Sequence, residues 1–283
     1  MTNLLDSIKI LEPAFIKLIH ERFGLVTHIN QARELTNIIA ETCTKFNFQP
    51  NEYLDKLKHC SSSSALLADL VAAITVGESY FFRDKTQMQL LEKELLPRLI
   101  QQKKETRALK IWSAGCSSGE EIYTIAMLLL KLIPDIERWD LQLLGTDINL
   151  AALEKAMAGI YGQWSMRSIP DVYLQNYFTK EKRTYVLSPK VRDMVRLKYL
   201  NLSDNSYPSI INGTYQVDLI LCRNVLIYFE NDLVVKIMKK LSQCLAESAY
   251  LLLGASDPII IADTNLVFHH DGAIYFTLNS DNK

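Results

Sequence analysis

The amino-acid sequence predicts an α/β fold: a mainly parallel sheet with a C-terminal antiparallel hairpin, preceded by a small all-helical domain. Three observations predict it. Before residue 77 the apolar residues recur only at helical spacing. From Leu109 onward, short apolar runs alternate with helical patterns, as in a doubly wound sheet with helices on both faces. The last two apolar runs flank His269-His270-Asp271-Gly272, where Asp-Gly signals a hairpin turn.

Composition sets bounds on function. A chain of 283 residues is long enough to bury a large core and to divide into two units. A net charge of −1 gives no global pull toward nucleic acid or an anionic membrane. Five scattered cysteines (Cys43, Cys60, Cys116, Cys222, Cys244) never form Cys-x-x-Cys, which predicts reduced thiols in a cytoplasmic protein and no zinc site. No signal pattern opens the chain, and no apolar run approaches the roughly 18 residues of a membrane span.

Taken in order, Leu4, Leu5, Ile8 and Leu11 form one apolar face, and Phe15, Ile16, Leu18, Ile19 and Phe23 another. Leu35–Phe46 gives a third stripe and Tyr53, Leu54 and Leu57 a fourth; Ser61–Ser64 punctuates before a helix over Ala65–Val76. Nothing in residues 1–76 looks catalytic. A linker and helix follow over 77–108, with three consecutive aromatics, Tyr80-Phe81-Phe82, ahead of Arg83-Asp84. Either the aromatics wedge the helical cap onto the second domain while Arg83 points into a cleft, or they form a buried plug with Arg83 paired to Asp84 or another acid. A helix is expected over Leu90–Ile100. The second domain, 109–283, opens with a strand, a tight turn and a helix over Leu109–Leu132. Strands follow at Leu141–Ile148, Met194–Leu200, Val217–Cys222 and Tyr250–Leu253, with helices at Leu150–Met157 and Asp232–Leu245. Residues 159–190, rich in aromatics and carrying the charge run Lys180–Arg183, interrupt the alternation as an inserted subdomain or a packed connector. His269 and His270 are consecutive on a strand, so they face opposite ways and do not converge on one metal ion.

The turn Ser113–Gly119 lets a ligand lie against bare backbone beside the N–H groups of a helix start. Its Gly115-x-x-x-Gly119 spacing is not a phosphate-binding pattern, and Glu120 and Glu121 would repel a pyrophosphate. A cofactor that is cationic there suits them, and S-adenosylmethionine carries a sulfonium and an α-amino group. The alternative is an ordinary turn whose acids complement the helix dipole. Asp147, at the end of the second strand, is placed to accept both ribose hydroxyls or to cap the helix near Leu150. The Gly115 turn, Asp147, Asn201 and Arg223-Asn224 all fall at the carboxyl ends of strands, where parallel sheets bind ligands.

Five blocks, in order, resemble the CheR family of chemotaxis-type protein-glutamate O-methyltransferases. They are Ser79-Tyr-Phe-Phe-Arg83, Trp112–Thr124, Gly145-Thr-Asp-Ile148, Asn201-Leu202 and Cys222-Arg-Asn-Val-Leu-Ile-Tyr-Phe229. The resemblance implies a class I S-adenosylmethionine-dependent methyltransferase domain, Rossmann-like, with a small inserted β-subdomain. It implies methyl transfer to glutamates on the cytoplasmic helical region of a chemoreceptor, giving glutamate 5-O-methyl esters and S-adenosylhomocysteine. By that resemblance Ser79, Arg83, Glu121, Asp147, Asn201, Leu202, Arg223 and Asn224 bind the cofactor, and Gly115 joins them through its place in the turn after the first strand. Arg83 and Tyr228 lie nearest the transferred methyl and are the catalytic pair.

The departures set further expectations. Gly77 stands where the family usually has Asn, and Gly254-Ala-Ser-Asp257 where it has Gly-His-Ser-Glu. The turn Ala246–Ala249 lacks the usual glycines. Across Asn30–Phe48, Arg33 and Lys45 balance Glu34 and Glu41, so the arginine-rich receptor-docking helix is missing. Phe178–Thr184 lacks the glycine-containing loop of members that bind a receptor's C-terminal pentapeptide. The expectation is a monomer without that tether, serving chemotaxis or another signalling array. The alternative is a cofactor-binding, partner-binding signalling module with weak or lost turnover.

Overall fold

Helix α1 (Leu4–Phe23), α2 (Ile29–Phe46), α3 (Pro50–His59) and α4 (Ala65–Ile74) form the first part of the chain. The computed structural model describes residues 4–26, 29–61, 64–75 and 78–279. Part of the Ser61–Ser64 punctuation, the domain boundary at 76/77 and the Gly77 departure lie outside the described residues. The two apolar faces read before Phe23 belong to one helix. Ile8, Phe15, Leu18, Ile19 and Phe23 share its buried stripe, while Pro13 sits on the exposed side, where its missing N–H costs least. This stripe packs with Leu35, Ile39, Tyr53, Leu57 and Leu70 into a core of its own, onto which Ile148, Tyr228 and Phe229 also pack.

The next helix starts five residues before the expected Leu90. Asp84 accepts a hydrogen bond from the Gln87 N–H at 3.2 Å and opens α5 (Lys85–Leu90), which runs through a π turn, Leu91–Leu95, into α6 (Leu96–Gln102). The capping carboxylate is a sequence signal that the apolar period alone does not contain. Phe81 and Phe82 do not wedge the helical cap onto the second domain. Both are buried in the second domain's core, Phe81 edge-on to Tyr161 and Phe178, and Phe82 against Tyr173.

The large sheet contains β1 (Ala108–Ala114), β2 (Asp140–Asp147), β6 (Val195–Tyr199), β7 (Val217–Cys222), β8 (Leu245–Leu253), β9 (Leu266–His270) and β10 (Ile274–Leu278). Its order is β6-β2-β1-β7-β8-β10-β9. The first five in that order are parallel, β10 is antiparallel to β8, and β9 and β10 form the terminal hairpin. This is the mainly parallel sheet with a C-terminal antiparallel hairpin expected from the sequence. Helices α7 (Glu120–Leu132), α8 (Leu150–Ala158) and α11 (Asn231–Cys244) make the crossovers. The strand expected from Tyr250 begins at Leu245. Ser248, at φ 61°, is part of the irregularity that resets register between Val217 and Leu219, so Ala246–Ala249 lies within a strand rather than a turn.

The interruption after α8 is a three-stranded antiparallel sheet, β3 (Ile160–Gly162), β4 (Phe178–Glu181) and β5 (Thr184–Leu187), in the order β3-β5-β4. Helix α9 (Asp171–Tyr177) precedes β4, and the one-turn α10 (Pro189–Arg192) leads into β6. Among the described residues, no helix is long and apolar enough to cross a membrane.

Candidate cofactor and methyl-transfer cleft

A cleft of about 1320 Å³, counting the part open to solvent, lies at the carboxyl ends of the parallel strands. Ser79, Arg83, Gly115, Glu121, Asp147, Asn201, Leu202, Arg223, Asn224 and Tyr228 all line it. The four strand-end positions singled out from the sequence therefore converge on one space, as parallel topology requires.

The turn after β1 is built differently from the sequence expectation. The N–H groups of Gly115 and Cys116 both donate to the Thr146 carbonyl, and that of Gly119 donates to the Cys116 carbonyl. The Ser117 N–H donates to Asp147 Oδ2 at 2.7 Å. These four amides are committed to the protein, so none of them is free to cradle a phosphate. Gly115 has φ +81°, and a Cβ there would come within 2.4 Å of Val225 Cγ2. Its missing side chain makes room for Val225, closing the turn after β1 against the turn after β7.

Asp147 does not cap α8 directly. Its carboxylate takes the Ser117 N–H and, at 2.8 Å, the Asn149 N–H; the Asn149 side chain caps the helix through the Ala152 N–H. Burial pushes the Asp147 carboxyl above the usual aspartate value, and the backbone N–H bonds pull it back. Each oxygen keeps a lone pair for an incoming hydroxyl.

The two acids at the start of α7 separate. Glu121 faces the cleft, taking Ser113 Oγ at 2.7 Å and Arg223 Nη1 at 2.8 Å. Glu120 is buried away from it, accepting from Ser118 and Ser165. Arg223 is itself buried. Its Nε donates to Gln87 Oε1, Nη1 to Glu121, and Nη2 to the Arg83 carbonyl at 2.7 Å. Gln87 in turn donates to the Leu253 carbonyl at 2.6 Å. One guanidinium thus ties α5, α7 and the end of β7 together beneath the cleft.

Asn201 is also engaged: its Nδ2 donates to the Arg22 carbonyl at 3.0 Å and to Asp204, while its Oδ1 accepts from Ser203. It fastens the end of α1 to the sheet. The Leu202 carbonyl accepts from Tyr207 and Lys240.

Arg83 is not paired with Asp84, which is occupied as the α5 cap. Its Nη1 donates to the Glu78 carbonyl at 2.8 Å, and it has no ion pair among the described residues. Tyr228 ends a short 3-10 turn, Leu226–Tyr228. Burial raises its phenol above the ordinary tyrosine value, and the nearby Arg83 charge opposes that rise.

Asp257 holds this turn. Its carboxylate accepts the backbone N–H groups of Asn224, Val225, Leu226, Ile227 and Gly254. The Asp that departs from the family pattern is therefore the anionic cap of the segment carrying Tyr228. At Gly254 a Cβ would sit 2.7 Å from the Asn224 nitrogen, so only glycine permits this approach.

Sequence reasoning missed the contribution of the first helices. Leu25, Val26, Ile74 and Thr75 line the cleft. The Val26 N–H donates to the Tyr228 carbonyl at 2.9 Å, and Thr75 Oγ1 accepts from Asn149 Nδ2 at 2.8 Å. These residues carry no charge or motif to flag them. Only the topology brings them in.

The CheR methyltransferase SAM-binding domain matches residues 77–276 of this chain. A chemotaxis protein methyltransferase of Borreliella burgdorferi is 30% identical over 86% of either chain. One from Listeria monocytogenes is 32% identical, covering 72% of this chain and 73% of its own. Chemotaxis protein methyltransferase 1 of Pseudomonas aeruginosa is 36% identical over 67% of this chain and 69% of its own. With its parallel-sheet topology and a cleft that commits its turn amides to protein acceptors, the chain belongs to the CheR family of S-adenosylmethionine-dependent methyltransferases.

Proposed function

We propose that this protein transfers a methyl group from S-adenosylmethionine to glutamate side chains on the helical region of a chemoreceptor-like protein. The products are glutamate 5-O-methyl esters and S-adenosylhomocysteine. The observation that carries this reading is the convergence of Arg83 and Tyr228 with Glu121, Asp147, Arg223 and Asn224 on one cleft.

The cofactor supplies an electrophilic methyl on a sulfonium centre. Asp147 accepts from the ribose hydroxyls, and Glu121 receives the α-amino group while Arg223 balances its charge. Gly115, Asn201, Leu202, Asn224 and Ser79 shape the remaining wall. A glutamate carboxylate has an unperturbed pKa near 4.3, so it arrives ionised at neutral pH and needs no general base. Arg83 holds that carboxylate, and the Tyr228 hydroxyl, kept protonated by burial, donates to it. The chain thereby supplies orientation rather than proton transfer. A carboxylate oxygen forms the new bond to the methyl carbon as the carbon–sulfur bond breaks. Its electron pair stays on sulfur, and no proton moves.

In this proposal the protein is a cytoplasmic monomer, and the absence of glycine between β4 and β5 supports its working without a pentapeptide tether. The test combines calorimetry with S-adenosylhomocysteine and transfer of labelled methyl to membranes from the source cell lacking this gene. Micromolar binding is expected, with base-labile label on a receptor-sized band. Arg83→Ala should lower transfer at least about 100-fold, the scale of losing a transition-state contact. Because Arg83 also lines the cofactor cleft, S-adenosylhomocysteine affinity should fall as well, but by a much smaller factor than transfer, since the positioned acceptor is absent from that complex. Near-normal turnover in Arg83→Ala would sink the assignment.

A further inference from the structure

We infer that the surface beside the cleft formed by Trp164 and Arg167, stacked onto the cleft-lining Tyr80, is where the acceptor helix docks. Trp164 specifically sets affinity for the polypeptide carrying the target glutamate. The inference rests on the functional reading above and names the surface through which its substrate enters.

A stacked ladder carries it. The Arg83 guanidinium carbon lies 5.8 Å from the centre of the Tyr80 ring. The Arg167 guanidinium lies 3.4 Å from that same ring centre and 4.0 Å from the centre of the Trp164 ring. Side chains therefore alternate from the residue proposed to grip the reacting carboxylate out to a tryptophan that is 64% exposed.

The outer end is rigidly built. Arg167 also donates to the Trp164 carbonyl at 2.8 Å and pairs with Glu78 at 3.2 Å. On either side of Trp164 the backbone is pinned. The Ser165 carbonyl accepts from the Phe81 N–H at 3.0 Å, and its hydroxyl donates to buried Glu120. The Gln163 side chain accepts from Tyr185 at 2.8 Å.

An exposed indole held this firmly has already lost the conformational entropy that docking would otherwise cost. Tryptophan and arginine are also the residue types that dominate interface energetics. Within the ladder Arg167 is sandwiched between the two rings and neutralised by Glu78, which leaves Arg83, without an ion pair among the described residues, as the net positive charge facing whatever approaches. That charge suits a helix bearing a target glutamate and further acids near it. The flat indole face offers apolar contact to the same helix. Because α2 has no net charge over Asn30–Phe48, this ladder supplies a recognition surface that the first helices do not.

The test measures methyl transfer to receptor-containing membranes over a range of receptor concentration for the wild type, Trp164→Ala and Arg167→Lys. Trp164→Ala should raise KM about tenfold, the scale of losing an interface anchor. The kcat and the calorimetric affinity for S-adenosylhomocysteine should stay unchanged. Arg167→Lys keeps the charge but loses the planar stack, and should raise KM by a smaller factor in the same direction. Unchanged KM in both variants overturns the inference while leaving the reaction intact. A dimeric wild type that Trp164→Ala converts to monomer, by sedimentation, also overturns it, since that surface would then bind a second copy of this chain. No transfer by the wild type overturns the functional reading and the inference with it.

Discussion

At the scale of single residues, the cleft depends on how its carboxylates are satisfied. Asp147 is the sharpest case, because among the described residues it has no cationic partner and is held by backbone N–H groups against the cost of burial. Its carboxyl titrates above the usual aspartate range, and only the ionised form accepts from two hydroxyls while keeping the Ser117 and Asn149 bonds. Affinity for S-adenosylhomocysteine should therefore be full at neutral pH and fall on acidification. The fall should begin at higher pH than an ordinary aspartate would give. Binding favours the ionised form, so complex formation releases protons in that range. Calorimetry in two buffers of different ionisation enthalpy would detect the release, and a pH-independent affinity down to the ordinary aspartate value would refute it. Asp147→Ala should cost at least about 100-fold in affinity, the scale of losing charged hydrogen bonds. The position of Asp147 was legible in the sequence because a strand end followed by an acid is a local pattern. The role of Arg223 was not. Its partners Gln87, Glu121 and the Arg83 carbonyl lie 136, 102 and 140 positions away, so nothing near it in sequence shows that its guanidinium is already engaged.

At the scale of elements, the site is two turns closed against each other: the one after β1 and the one after β7. Gly115 and Val225 are the contact. Gly115→Ala places a Cβ 2.4 Å from Val225 Cγ2 at φ +81°, so it meets both a clash and a strained backbone. The expected loss is about 2–4 kcal/mol by denaturant unfolding, combining strain of about 1–2 kcal/mol with overpacking. The double variant Gly115→Ala/Val225→Ala should recover the overpacking part, a coupling that two independent sites would not show. Asp257 stabilises the second turn by another route, gathering five backbone N–H groups on one carboxylate. Asp257→Ala leaves those donors unmet and should cost about 3 kcal/mol. It should slow methyl transfer through Tyr228 more than it weakens cofactor binding. The strands of the large sheet were readable from apolar runs such as Val217–Cys222, whose bounds the structure repeats. Of the two readings open for Phe81 and Phe82, a wedge or a buried plug, the structure has the plug. Consecutive aromatics say that a segment is buried, whereas which core receives them depends on the inserted sheet that supplies Tyr161, Tyr173 and Phe178.

At the scale of the whole molecule, the distribution of titratable groups dictates how the fold responds to alkali. Cys43, Cys116, Cys222 and Cys244 are almost wholly buried, and burial pushes all four thiols up, Cys244 to about 12. Tyr53, Tyr123, Tyr173 and Tyr207 are raised in the same way. In the unfolded chain these thiols ionise near pH 8.5 and the phenols near pH 10. Between the unfolded and folded values the unfolded state binds fewer protons than the native state, so unfolding becomes easier as pH rises. The stabilisation is whole below about pH 8.5 and is lost progressively above it, with the phenols joining near pH 10. Four thiols that stay protonated in the fold imply a loss on the order of 7 kcal/mol between pH 8 and 10. Urea unfolding under reducing conditions at pH 7.5, 8.5, 9.5 and 10 would measure it. The variant Cys222→Ala separates this effect from general alkaline damage. Its cavity lowers stability at every pH, but with one of four buried thiols gone the slope between pH 8.5 and 9.5 should fall by roughly a quarter. An unchanged slope would mean that the buried thiols do not set the alkaline limit, and that the charge balance of the surface does.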